Sequence, residues 1–172
     1  MKLRILLTIL ACAALAPLST QAGGISLYEI GTPDVGLASA GYSARAQDAS
    51  TLFKNPAGMS LLEGTQVQGG LQLLYGSVKF SPGAGTSPRL GNDDGGNALG
   101  ALPAAGFFVT TELTDRVKVG FGSFSYFGLS EDYGDNWVGR YYVQKATVLG
   151  MSLMPAASFK VTDWLSVGGG PN

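Results

Sequence analysis

Residues 65–75 read TQVQGGLQLLY, and this stretch decides the fold. Val67, Gly69, Leu71, Leu73 and Tyr75 share one parity, while Gln66, Gln68, Gly70 and Gln72 share the other, which is the two-faced alternation of a strand. One face asks for lipid or a core and the other for water. Residues 81–98, SPGAGTSPRLGNDDGGNA, are dense in Pro, Gly, Asn and Asp and read as a loop. Further along, LTDRVKVGFG at 113–122 is echoed by VTDWLSVGGG at 161–170, with Asp115 and Asp163 48 residues apart. Each Thr-Asp marks a tight turn. The predicted strands are 65–80, 99–113, 117–126, 144–159 and 164–170, with a loop over 128–142. Short turns therefore alternate with long loops.

Strands of about 10 residues with aromatics near their ends, here Tyr126, Phe127, Tyr141, Tyr142 and Trp164, fit an all-β, transmembrane antiparallel β-barrel. A secreted β-sandwich competes. The barrel is favoured for an exported, Gly-rich chain, because a sheet in hydrocarbon must close on itself to satisfy every backbone N–H and C=O. Five strands fall short of the roughly eight of the smallest bacterial barrels, and the sequence stops at GGGPN in a predicted strand, so either the chain is a fragment or it is not a closed barrel.

Composition narrows the function classes. His is absent and the single Cys is Cys12, which leaves few side chains for transition metals or for nucleophilic chemistry near neutral pH. No cofactor and no metal are expected. Lys2 and Arg4 precede an apolar run from Ile5 to Leu18 and the small residues up to Ala22, the pattern of a signal peptide over 1–22. Without those two cations, 9 Lys+Arg face 12 Asp+Glu, so there is no basic footprint for nucleic acid. All 26 glycines follow residue 22, 13% of residues are charged and 45% are hydrophobic, which suits neither a disordered tail nor an ordinary soluble enzyme.

Between the leader and the first strand, residues 23–64 form an Ala-, Gly- and Ser-rich segment without period-2 patterning. It contains DASTLFKNPAGM at 48–59, in which Asn55-Pro56 is a strong turn dipeptide. Together with GISLYEIGTPDVGLASAGYSARAQDAS before it, YFGLSEDYGDNWVGRYY at 126–142 and MSLMPAASFKVTDWLSVGGG at 151–170, this region resembles the FadL family of outer-membrane transporters for long-chain fatty acids and other hydrophobic compounds. The resemblance implies a barrel of about 14 strands plugged by an N-terminal hatch. Residues 23–64 would then be the hatch, and 65–172 the first strands of the barrel. It also implies the outer membrane of a Gram-negative bacterium, contact with its lipid, insertion by the barrel-assembly machinery, and passive uptake of hydrophobic small molecules that leave sideways where the third strand, Val117 to Leu129, kinks.

Candidate site residues follow from that resemblance. Ile25 and Leu27 would enter the ligand pocket, or else pack against the wall, and Phe124, Tyr126 and Phe127 would contact ligand. Asn55, Pro56 and Ala57 would gate near the opening, or merely end the hatch as a turn. Lys118, Gly120 and Gly122 share a parity, and the pair Gly120 and Gly122 suits a strand kink, so distortion is expected after Gly122. The strand at 99–113 is apolar on both parities, which fits a lumen for greasy ligands or packing on the hatch. Trp137, Arg140, Tyr141 and Tyr142 would line a capture groove or form an interfacial belt. A non-transporting structural or adhesive surface β-protein is the alternative function; an enzyme ranks well behind.

Overall fold

The computed structural model describes residues 27–28 and 30–172. The leader with its cleavage after Ala22, and the candidate Ile25, lie outside the described residues. Five strands, β1 (Thr65–Gly76), β2 (Gly100–Thr114), β3 (Val117–Asp132), β4 (Lys145–Lys160) and β5 (Ser166–Gly169), form one antiparallel sheet in chain order. The Thr-Asp turns join β2 to β3 and β4 to β5, as the echo predicts, with Thr114 Oγ1 accepting the N–H of Val117 at 3.0 Å.

The two faces of the sheet are inverted relative to a water-soluble protein. Leu71 is 89% exposed and Met151 77%, and Leu73, Leu149, Leu153 and Phe159 lie exposed on the same outer face. Leaving such side chains in water forfeits about 1.5–3 kcal/mol each, so this face belongs in hydrocarbon. The glutamine parity of β1 turns inward: Gln68 Oε1 accepts the N–H of Ser50, and Gln72 Oε1 that of Gly31, each at 3.3 Å.

Those partners belong to the N-terminal segment before β1, the expected hatch, which folds as a 3-10 turn at Pro33–Leu37, a one-turn helix α1 at Thr51–Lys54 and a 3-10 turn at Pro56–Leu61. Ile30, Leu52, Met59 and Leu62 of the hatch meet Phe108, Phe124 and Met154 of the wall in one buried core. Glycine permits the closest approach. A Cβ on Gly70 would stand 1.7 Å from the carbonyl oxygen of Gly31, so the two backbones meet without side chains between them. Inside the hatch, buried Asp34 is held by Arg45, by Lys54 at 2.7 Å and by the Thr32 hydroxyl at 3.1 Å. Where the hatch passes into β1, Lys118 Nζ donates to the Leu62 carbonyl and to Glu112 Oε2, the latter at 2.6 Å.

Several strand limits differ from the sequence expectation. β1 ends at Gly76 rather than 80, and only an isolated Lys79–Asn97 bridge continues it. β3 runs on to Asp132, so Gly128–Asp132 is strand and not loop. Its polar end reads as loop in isolation, but the Ser130–Thr147 hydroxyl pair at 3.1 Å and the Asp132–Lys145 ion pair at 3.0 Å hold it against β4. β5 is confined to Ser166–Gly169 rather than 164–170.

The expected grouping of Trp137 with an exposed belt or groove is also corrected. Trp137 is 6% exposed, stacks on Tyr133 at 4.2 Å and meets the edge of Phe80 at 5.4 Å. Its Nε1 donates to the Val143 carbonyl at 2.6 Å. Arg140 donates to the Leu90 carbonyl at 2.8 Å, tying the two long loops together, and only Tyr141 and Tyr142 stay exposed. An indole whose single N–H finds a carbonyl inside a loop gains more from that pocket than from a headgroup.

Candidate passage site between hatch and wall

β1 and β2 pair without interruption from Thr65–Thr111 to Gly76–Gly100. β2 and β3 do not. Their ladder rises from the Thr114–Val117 turn and stops at Gly106–Phe124. Beyond that point β3 bulges: Phe124 pairs with Ser152 and Phe127 with Gly150, so Ser125 and Tyr126 stand opposite Met151 alone. At the loop end the gap closes again, because the N–H of Asp132 donates to the carbonyl of Ala98 at 2.8 Å. The result is a window in the wall, bounded by residues 100–105 of β2 and 125–131 of β3.

Two hydrogen bonds hold the bulge. Ser125 Oγ donates to the Gly150 carbonyl at 2.8 Å, and the Tyr126 carbonyl accepts the N–H of Leu27 in the hatch at 2.7 Å. Loss of a ladder is tolerated at membrane depth only where such partners or a cavity replace it.

Cavities lie on both sides of the window. Outside, a cleft of about 850 Å³ runs among Leu73, Pro103, Leu149 and Met151, and a neighbouring one of about 720 Å³ among Leu71, Phe107 and Ser123. Inside, a pocket of about 200 Å³ is enclosed by Leu27, Leu74, Leu99, Leu102 and Leu129. Leu102 lines both the inner pocket and the larger outer cleft. The inner pocket is lined by apolar residues and the outer clefts mainly so, with Gln72, Ser125, Ser130 and Thr147 at the larger one, which suits ligands with few hydrogen-bonding demands. Among the described residues, no three His, Cys, Asp or Glu side chains gather as a metal site requires.

The sequence-derived candidates divide. Leu27 faces the inner pocket. Phe124 and Tyr126 join an aromatic cluster with Phe53 of α1, at 4.3 and 6.0 Å, and Phe124 also stacks on Phe108 at 5.4 Å. Phe127 lies just past the bulge, opposite Gly150. Gly120 and Gly122 sit in regular register with both neighbours, and the irregularity falls two to four residues later. Their open side admits the hatch: a Cβ on either would come within 2.7 Å of Leu52. Asn55, Pro56 and Ala57 pack mainly against β4 and β5, away from the window, and a Cβ on Gly168 would collide with the Pro56–Ala57 backbone. Asn55 Nδ2 donates to the Ser43 carbonyl at 2.8 Å. Leu102 lies in the strand read as apolar on both parities, whereas Leu52, Phe53 and Pro103 were not among the candidates; a proline inside an apolar strand was the available signal.

A sheet with one apolar outward face, and an N-terminal segment packed on its other face, fit the wall of an outer-membrane β-barrel protein. The comparisons agree. The family model "Outer membrane protein transport protein (OMPP1/FadL/TodX)" matches residues 13–172, and the chain belongs to that family. It is 30% identical to outer membrane protein P1 of Haemophilus influenzae over 170 residues, covering 92% of this chain and 37% of that protein. The crystal structure of a Pseudomonas aeruginosa FadL homologue superposes with a TM-score of 0.68 at 26% identity, over 86% of this chain and 37% of that one. The chain thus spans about 37% of the length of these relatives. Its place is the outer membrane of a Gram-negative bacterium.

Proposed function

We propose that this chain provides the hatch and windowed wall of a passive transporter that takes up long-chain fatty acids or similar hydrophobic compounds and releases them sideways into the membrane. The observation that carries this reading is the β2–β3 window with an apolar pocket within and an apolar cleft outside, meeting at Leu102. Leu27 senses ligand in the inner pocket, and Phe124, Tyr126 and Phe127 form the aromatic sill over which ligand passes. Ligand moves down a gradient of apolar burial, worth about 25 cal/mol per Å² of its surface, and no bond is made or broken. Gating is assigned to the hatch: the Leu27–Tyr126 bond must part for the window to clear, while Asn55, Pro56 and Ala57 brace the far side against β5. Residues 1–22 direct export, and the barrel-assembly machinery inserts the strands.

Uptake of labelled oleate by cells that lack their own transporter tests this reading. Expression of the protein should restore uptake, and an inter-strand disulfide across the window, through Ala104→Cys with Tyr126→Cys, should abolish it until reductant is added. Uptake that persists with the window cross-linked would refute lateral exit.

A further inference from the structure

The window needs a cause, since both strands beside it are long enough to pair. Successive residues of an antiparallel strand direct their backbone groups alternately to the two neighbouring strands. Glu112 N–H donates to the Gly64 carbonyl on the β1 side at 3.1 Å, and the β1–β2 register is unbroken from Thr111 to Gly100. Even-numbered residues of β2 therefore address β1, and odd-numbered residues address β3. Pro103 is odd, so the one backbone nitrogen of β2 that carries no hydrogen points into the window. Beyond the bulge β3 has slipped by one residue and Phe127 addresses β4 through Gly150, so a continued β2–β3 ladder would set Pro103 opposite Gly128, where it requires that hydrogen.

We propose that Pro103 is the positioning residue that keeps the window from zipping shut, an inference that rests on reading the window as the ligand's exit. Proline acts in two ways here. It denies β3 a donor within the window, above the bulge where Ala105 already stands unpaired, so the strands cannot re-join there, and it leaves no orphan N–H facing hydrocarbon at that position. It also restricts the residue before it, Leu102, to extended backbone. That keeps Leu102 over Gly128, where a Cβ on the glycine would stand 3.4 Å from the leucine side chain. Pro155 of β4 lies on the other phase: Lys160 N–H donates to the Arg116 carbonyl beside β3, so Pro155 faces β5 and away from the window.

The test uses the protein in its own outer membrane, with hydrogen–deuterium exchange of the 125–131 amides and oleate uptake measured in parallel. Pro103→Ala restores the donor and should slow exchange across 125–131 by tenfold or more while uptake falls at least as far; Pro155→Ala should change neither. Unchanged exchange in Pro103→Ala would overturn the proposal and leave lateral exit standing. Slowed exchange with undiminished uptake would support the role of Pro103 and refute lateral exit instead. Should Pro103→Ala not reach the membrane, Pro103→Val restores the same donor on a strand-favouring side chain. Failure of both to assemble also overturns the proposal, because a restored ladder donor should ease closure of the wall.

Discussion

The N–H of Leu27 meets the carbonyl of Tyr126 at 2.7 Å, so the start of the described hatch is tied to the wall at the bulge that opens it. Tyr126 has lost its ladder neighbour on β2, and a hatch residue takes the vacant hydrogen bond. A single backbone hydrogen bond thus joins the N-terminal segment to the wall at the bulge, beyond the end of the β2–β3 ladder at Phe124.

Gly70→Ala should unseat the hatch. Its Cβ would lie 1.7 Å from the Gly31 carbonyl, a backbone atom that cannot swing aside, and the cost should reach about 3 kcal/mol or more. Gly69→Ala, whose nearest neighbour is 3.9 Å away, should be tolerated. Urea midpoints of the two variants in detergent provide the comparison.

Lys118→Met should loosen the hatch-to-barrel junction. The Leu62 carbonyl and the Glu112 carboxylate would each lose a charged donor. Glu112 keeps 30% of its side chain in solvent, so the loss should be about 1–3 kcal/mol rather than that of a fully buried pair. Lys118→Met with Glu112→Gln should recover part of it, which a double-mutant cycle would read out.

Leu102→Ala should join the inner pocket to the outer cleft and raise oleate uptake several-fold. Because Leu102 is already half-buried and borders two cavities, stability should fall by only about 1 kcal/mol. Leu102→Trp should do the reverse and block passage. Equal initial uptake rates for the two variants would show that Leu102 is not a shutter.

Trp137→Ala should release the two long loops from each other. It removes the stack on Tyr133, the edge contact with Phe80 and the bond to Val143, a loss of about 3–5 kcal/mol confined to the loops. Limited proteolysis should then cut within 77–99 and 133–144 much faster. Tyr142→Ala, at a side chain 95% exposed, should leave the digestion pattern unchanged.

Tyr42 should titrate above the ordinary tyrosine range, because burial disfavours its phenolate and the Asp34 carboxylate repels it. A folded-state pKa raised above the unfolded value near 10 contributes stability that is complete below that value and lost as pH climbs through the folded pKa. Tyr42→Phe should flatten the alkaline fall in stability, measured by urea denaturation across that window alongside an ultraviolet titration.

By itself the sequence determined what period-2 patterning and turn chemistry determine. The parity of Val67 to Tyr75, the Thr-Asp turns and the apolar parity of β4 announced an antiparallel sheet with one face in lipid, and Asn55-Pro56 announced a turn. Such signals are local, since each is set by a residue and its neighbours along one strand. Gly120 and Gly122 were legible as places lacking side chains, but not as the seat of Leu52, which comes from 70 residues away in the chain.

Only the tertiary structure decided where the wall opens and what faces the opening. Strand pairing depends on the register of two segments at once, so the stop at Gly106–Phe124 and the bulge at Ser125–Tyr126 could not be read from either strand alone. The same holds for Gly128–Asp132, whose loop-like composition is overruled by cross-strand partners on β4, and for Trp137, drawn into a pocket built from two distant loops. Pro103 lay in plain view, yet its effect depends on which neighbour its nitrogen faces, and that phase is set only when Glu112 docks on Gly64.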